Sequence, residues 1–455
     1  MTAHVSSGKP LSWAGIVRLG LVQSALGAVV ALTTSTLNRV AVVEEAMPVA
    51  LPAAFVAWHY VVQLSRPRWG YGSDMGHRRT PWIIGGMGVL ALGAIVATDA
   101  VLMLSSKPVL GILLALVAFT MIGAGVGAAG TSLLALLATR VAPTRRPAAA
   151  SITWIMMIVG IVVSAGVSGG LLQPFSAQRL AMVASGVAGI AFVLTLLAVW
   201  GAEGETHTVA PVANAEASAP KPAFKDVLAE IWADALARRF TIFVFVSMLA
   251  YSAQELILEP FAGLVFKMTP GQSTQLSSLQ HGGVLLGMIL VGVMGSRFGD
   301  KKRAWMRRWT IAGCVGSALA LMGMAAASVL GSAWPLRPTV FVLGFANGVF
   351  AVSAIGSMMG LAGAGEKSRE GVRMGVWGAA QAGAFAIGGF LGAIGVDLMR
   401  GLFHQSATAF LVVFCAEALV FLASAILAGK LDAAPSRTGG AATDLPPAVQ
   451  FGGAH

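Results

Sequence analysis

Two carboxylates, Glu255 and Glu259, stand one helical turn apart in the run Tyr251-Ser252-Ala253-Gln254-Glu255-Leu256-Ile257-Leu258-Glu259-Pro260, within an otherwise apolar stretch. At that spacing both project from one side of a helix. In a bilayer each would cost roughly 2.5–3.5 kcal/mol, so their presence points to a task. The chemistry open to them is an ion pair with a cation such as Arg39, which would close a seam between helices, or proton exchange through Glu255. Two imidazoles, His59 in Trp58-His59-Tyr60 and His281, sit in similarly apolar surroundings. A neutral ring nitrogen there either hydrogen-bonds a neighbouring helix or ligates a metal. No nucleophile, base and orienting group recur together as a catalytic set.

The elements that must position these residues are membrane-spanning helices. Hydrophobic residues make up 56% of the 455, charged residues only 11%, and the mean hydropathy is +0.80, which excludes an ordinary soluble globular domain. Crossing about 30 Å of hydrocarbon takes roughly 20 apolar residues. Twelve such segments are expected, at 16–37, 46–65, 81–104, 108–138, 147–172, 179–201, 240–260, 275–296, 305–331, 336–363, 372–398 and 405–429. The fold class is therefore an all-α polytopic membrane protein with 12 transmembrane helices in two six-helix halves.

Alternate loops separate by charge. Lys9 and Arg18, four arginines over 66–79, Arg140, Arg145 and Arg146, four basic residues in the central linker, six over 297–308, three over 367–373, and Lys430 with Arg437 fall on one side, 24 of the 30 Lys and Arg. Arg39, Lys107, Arg179, Lys267, Arg337 and Arg400 fall on the other. By the positive-inside rule the richer side is cytoplasmic, with both termini. The net charge of +11 is thus matched to anionic lipid at that face, with no nucleic acid implied. The two cysteines, Cys314 and Cys415, both fall in spans and indicate neither a disulfide framework nor a metal site.

The organisation expected is an N-terminal cytoplasmic segment 1–15, a first half 16–201, a linker 202–239, a second half 240–430 and a flexible tail 431–455. Within the linker, 202–222 reads as disordered, while Phe224, Val227, Leu228, Ile231, Trp232 and Leu236 recur at helical spacing and predict an amphipathic surface helix over about 223–237. The spans are rich in glycine pairs four residues apart, including Gly166/Gly170, Gly283/Gly287 and Gly388/Gly392, which suit close helix packing. Asp99 and Asp397 fall near outer helix ends, where solvation is expected.

One loop in each half repeats a pattern. Gly70-Tyr71-Gly72-Ser73-Asp74-Met75-Gly76-His77-Arg78-Arg79 follows the second span, and Gly295-Ser296-Arg297-Phe298-Gly299-Asp300-Lys301-Lys302-Arg303 follows the eighth. Each sets an Asp before basic residues in a Gly-rich turn, able to latch helix ends at the cytoplasmic face. The pattern resembles the signature loop of the major facilitator superfamily, whose carriers are often built from two similar halves.

More specific are Thr36-Leu37-Asn38-Arg39-Val40, the run from Arg66-Pro67-Arg68 through Arg78-Arg79-Thr80-Pro81-Trp82-Ile83-Ile84-Gly85-Gly86, the segment Tyr251 to Gly263, and Gly282-Gly283-Val284-Leu285-Leu286-Gly287-Met288. Together they resemble the PucC/LhaA family, the bacteriochlorophyll delivery branch of that superfamily, over about residues 11–430, and within it the branch labelled a bacteriochlorophyll synthase chain. The resemblance implies a non-enzymatic factor in a bacterial inner (intracytoplasmic) membrane, with bacteriochlorophyll or a precursor as cargo and no covalent cofactor. It also implies partners: the light-harvesting α and β polypeptides, bacteriochlorophyll synthase and the membrane insertion machinery.

Bacteriochlorophyll carries a central Mg that accepts an axial ligand, so His59 and His281 become candidates, with Trp58 and Tyr60 able to stack on a macrocycle. His59, seven residues before Arg66, lies roughly 10 Å from the basic face, whereas His281 and Glu255, each sixteen residues from Arg297 and Arg239, share a depth of about 24 Å. Glu255 is thus expected to orient His281 as an outer-shell carboxylate, and Arg39 to pair with Glu255 or Glu259. Gln23, Asn347, Gln381 and Glu417 are the main polar groups left for a central cavity, a sparseness that favours a lipophilic cargo. Two other functions stay open on the residues alone, a proton-coupled small-solute transporter using Glu255 and a pigment-free scaffold for biosynthetic enzymes.

Overall fold

In hydrocarbon every backbone N–H and C=O must be satisfied within the segment, and the helix is the only single-segment solution. The computed structural model of the chain describes residues 11–65, 78–142, 145–203, 235–297, 302–363 and 370–430, and among these there are helices and no strand. In chain order they are α1 (Trp13–Val43), α2 (Ala50–Gln63), α3 (Thr80–Leu102), α4 (Pro108–Arg140), α5 (Arg146–Leu171) and α6 (Ala177–Val199) in the first half. The second half has α7 (Ala235–Leu264), α8 (Pro270–Arg297), α9 (Lys302–Leu330), α10 (Leu336–Gly363), α11 (Glu370–Phe403) and α12 (Ser406–Gly429). Each expected span has its helix, and eleven of the twelve are long and apolar enough to cross a membrane over the described residues. The exception is α2, whose described part has 14 residues.

Two ends differ from expectation for backbone reasons. The first helix does not stop near residue 37 but passes through a π-helical turn, Leu32–Thr36, and continues to Val43, which places Arg39 inside the helix. The seventh does not stop at Pro260, which lies within α7, and the helix runs on to Leu264. Proline is tolerated in a membrane helix where neighbours satisfy the freed backbone groups. At its other end α7 already begins at Ala235, so the last positions expected in the amphipathic surface helix, 235–237, are continuous with α7. The rest of that helix, Asp74, Asp300, Lys301, residues 1–10 and the tail from 431 lie outside the described residues.

The same neighbour pattern occurs twice. In the first half α1 packs on α5 and α6, α3 on α4 and α6, and α2 on α4; in the second, α7 packs on α11 and α12, α9 on α10 and α12, and α8 on α10. The halves meet along α1–α7, α2–α11 and α5–α8. Glycines set the tightest crossings, because without a Cβ two backbones can touch. Gly283 and Gly287 of α8 lie against Gly344 and Gly348 of α10 in this way, and Gly160 of α5 rests on the Ser24 carbonyl of α1.

Candidate functional site

Inside the bundle α7 and α8 bring Glu255 and His281 together, with His281 Nε2 3.7 Å from a Glu255 carboxylate oxygen. His281 Nδ1 lies 2.9 Å from the Ser277 carbonyl oxygen one turn earlier. A carbonyl can only accept, so Nδ1 bears the hydrogen and Nε2 is the nitrogen that faces the carboxylate.

A string of rings extends this pair across the boundary between the halves. His59 of α2 is fully buried, its Nδ1 2.7 Å from the Val56 carbonyl oxygen and its ring 4.1 Å from that of Tyr60. Tyr60 meets Phe385 of α11 at 5.5 Å, and Phe385 meets Tyr251 of α7 at 5.9 Å. Tyr251 lies one turn before Glu255, which closes the sequence His59, Tyr60, Phe385, Tyr251, Glu255, His281. Phe385 and Tyr251 were not foreseen as members. A signal was available for Tyr251, since the chain has only 3 tyrosines and two of them meet here. Trp58 is not part of the string; it turns outward, 42% exposed, and donates to Thr120 of α4 at 2.8 Å.

Toward the face opposite the arginine-rich loops, polar groups join the halves. Arg39 pairs with Glu44 at 2.5 Å and donates to the Met268 carbonyl at 2.5 Å, so its ion pair is with neither Glu255 nor Glu259. The reason is local: the extended α1 turns just past Val43 and returns Glu44 to the guanidinium. Glu259 instead accepts from Ser273 and Thr274 of α8, both at 3.4 Å. Asn38 donates to the Leu256 carbonyl at 2.6 Å, and Thr36 meets Thr274 at 3.1 Å.

Asp397 corrects another expectation. Rather than being merely solvated, its carboxylate on α11 accepts from the Val49 and Ala50 amides at 3.0 and 2.7 Å, capping α2 from the other half. The first amides of a helix lack intrahelical partners and carry the positive end of its dipole. Asp397→Ala is therefore expected to destabilise the protein by about 1–2 kcal/mol, and Asp397→Asn by less, read as melting temperature in detergent.

At the arginine-rich face a second borrowed cap appears. Glu203, just beyond α6, accepts from the Arg79 and Thr80 amides at the start of α3, and lies 3.8 Å from Arg78. Arg79 also donates to the Ala135 carbonyl of α4. Ala202 and Glu203 were expected in a disordered stretch; Ala202 is buried and Glu203 is a fixed latch. Beside this latch α3 and α6 flank an open apolar cavity of about 710 Å³, lined by Ile84, Gly85, Leu196, Val199 and Trp200, with Arg78 and Glu203 at its rim. Neither His59 nor His281 lines it. Elsewhere, buried Glu417 of α12 has no hydrogen-bond partner on either carboxylate oxygen among the described residues.

Comparison with known proteins agrees with this architecture. The sequence profile of the family described as PUCC protein matches residues 36–435. The chain is 51% identical over 426 residues to the bacteriochlorophyll synthase 44.5 kDa chain of Rhodobacter capsulatus, covering 93% of this chain and 96% of that one. It is 30% identical over 388 residues to Protein PucC of Cereibacter sphaeroides, covering 82% and 81%. Among solved structures, the nucleoside transporter NupG superposes with a TM-score of 0.67 at 16% identity, covering 92% of this chain and 99% of that one. A peptide transporter, POT, superposes at 0.65 and 14%, covering 94% and 97%. At such identities the likeness shows the fold, that of the major facilitator carriers.

Proposed function

The chain belongs to the PucC family, and from that premise we propose that it is an assembly factor for photosynthetic light-harvesting complexes, binding bacteriochlorophyll or a precursor in the membrane and delivering it to the light-harvesting α and β polypeptides. The observation that carries this reading is the 51% identity, over nearly the whole of both chains, with a relative named for bacteriochlorophyll synthase. The word synthase belongs to that relative. In our reading this chain brings pigment to an enzyme or a polypeptide and performs no covalent chemistry. In this reading it resides in the bacterial inner membrane, and the charge asymmetry supports both termini being cytoplasmic.

The site supports a lipophilic, tetrapyrrole cargo. Its string supplies flat rings for stacking and two imidazoles, each with Nδ1 on a backbone carbonyl, that of Val56 or of Ser277, so that Nε2 is the nitrogen able to coordinate; His281, 8% exposed against 0% for His59, is the more accessible of the two. Ser277 would then be the group that orients the ring, and Glu255, expected in that role, faces the ligating nitrogen instead, at 3.7 Å. The apolar cavity between α3 and α6 is in the size range of small-ligand sites, about 300–1,000 Å³, and suits an isoprenoid tail.

The test is the absorption spectrum and pigment stoichiometry of protein purified in mild detergent from a pigment-producing host. The wild type is expected to carry a stoichiometric bacteriochlorophyll band, and His281→Ala to lose it by about tenfold or more while eluting as a folded monodisperse species. Absence of pigment from well-folded wild type overturns the proposal. Retention by both His281→Ala and His59→Ala removes the axial ligands and leaves the carrier. A second reading, proton-coupled solute transport, is favoured by one observation, the Glu255–His281 contact; it requires proton uptake in proteoliposomes that Glu255→Gln abolishes.

A further inference from the structure

Glu259 poses a problem that the pigment reading does not absorb. It is 1% exposed, its two hydrogen bonds are long and go to one oxygen, and its other oxygen, Oε1, has no hydrogen-bond partner among the described residues. The nearby guanidinium of Arg39 favours the charge of Glu259 but makes its ion pair with Glu44, at 2.5 Å. A buried carboxylate with no direct cationic partner is costly, and such groups are found paired or holding a metal ion.

The surroundings of Glu259 are those of an ion site. It lines a narrow cleft between the halves, and its polar neighbours there are hydroxyls: Ser35 and Thr36 of α1, Ser164 and Ser168 of α5, Thr274 and Ser277 of α8. Ser168 is 1% exposed and its hydroxyl, like Glu259 Oε1, has no hydrogen-bond partner. The cleft is bounded by the π-helical turn Leu32–Thr36, which shifts the carbonyl register of α1 there. Such turns are frequent at functional sites. An all-oxygen set with a single carboxylate suits a hard cation, and one negative charge suits a monovalent one; calcium and magnesium sites generally gather more carboxylates or retain water.

We propose that this cleft binds a dehydrated monovalent cation of sodium size, with Glu259 as the charged ligand and Ser168 among the neutral ones. The ion would draw α1, α5, α7 and α8 together at the seam. It would also reach the candidate pigment site, because Ser277 lines the cleft with its side chain while its carbonyl accepts from His281 Nδ1. The cation site itself does not depend on the pigment reading.

The test uses the full chain, purified in detergent without sodium, titrated with NaCl, KCl or choline chloride at constant ionic strength and followed by melting temperature and by radioactive sodium binding. Sodium is expected to bind saturably and to raise the melting temperature by a few degrees, on the order of 3 °C at a large excess over Kd, with choline inert. Ser168→Ala is expected to weaken binding severalfold, Glu259→Gln to abolish it, and Glu417→Gln, at a buried carboxylate outside the cleft, to leave it unchanged. Equal responses to all three salts, or sodium binding retained in Glu259→Gln, overturn the proposal. No binding to well-folded wild type also overturns it. Each outcome is read independently of bound pigment.

Discussion

Gly344→Ala is expected to cost about 3 kcal/mol, the upper end for overpacking, and to reduce the yield of monodisperse protein, whereas Gly282→Ala should stay within about 0.5 kcal/mol of wild type. A methyl at Gly344 would stand 1.9 Å from the Gln280 carbonyl oxygen, and one at Gly348 2.1 Å from that of Val284. The reciprocal contacts are as close, Gly283 against the Phe341 oxygen at 2.4 Å and Gly287 against that of Phe345 at 2.3 Å. All four obstacles are backbone and cannot rotate aside. Relief requires α8 and α10 to part by about 1 Å along the whole crossing, which forfeits dispersion at every facing pair. At Gly282, one residue away on the same helix, a methyl meets nothing within 4 Å. Thermal melting of Gly282→Ala, Gly283→Ala and Gly344→Ala in one detergent decides the matter; a Gly344→Ala protein that melts with wild type would contradict the crossing.

The contrast between Gly282 and Gly283 also marks the limit of what these residues reveal without coordinates. The four-residue spacing of Gly283 and Gly287 is visible in the chain, but so are several other pairs, and which glycine faces a helix depends on azimuth. In a soluble helix a polar face reports azimuth. Here the spans are apolar all round, so hydrophobic periodicity carries no such signal. Depth, by contrast, follows from counting at 1.5 Å per residue from a charged end. The count that put Glu255 and His281 at one level agrees with their contact, and the twelve spans follow from length and apolarity alone.

Contacts made between distant segments were the least legible. Asp397 and Glu203 each cap a helix far away in sequence, and nothing near either residue announces an amide to be capped. Arg39 was matched with the carboxylates at its expected depth, but α1 continues through its π-helical turn and brings Glu44 round to meet it. Pro260 has the look of a helix end and is not one, since the packed neighbours of α7 satisfy what the ring disrupts. In each case tertiary context overrides a local rule, and each case lies on the seam between the halves or at a latch.

That seam makes Arg39 the second position where a large effect is expected. Arg39→Met should destabilise the protein by roughly 2–4 kcal/mol, because the guanidinium is 1% exposed and bonds two partners that a thioether cannot. Glu44 is partly relieved, since its side chain is 33% exposed and can rehydrate. The Met268 carbonyl on the α7–α8 connection loses its donor and, with it, one tie between the halves. Arg39→Lys keeps the charge but presents a single ammonium where a fork spans both acceptors, so it should recover only about half of the loss. Adding Glu44→Gln to Arg39→Met should cost less than the sum of the two changes, with a coupling of about 0.5–3 kcal/mol, whereas adding Asp397→Ala should be closer to additive. If the tie holds the seam shut, a cysteine placed by Ser168→Cys in the cleft behind it should react severalfold faster with a water-soluble maleimide in the Arg39→Met background. Unchanged labelling with lowered stability would make Arg39 a packing residue of α1 alone; unchanged stability would mean that the Met268 bond does not hold the halves together.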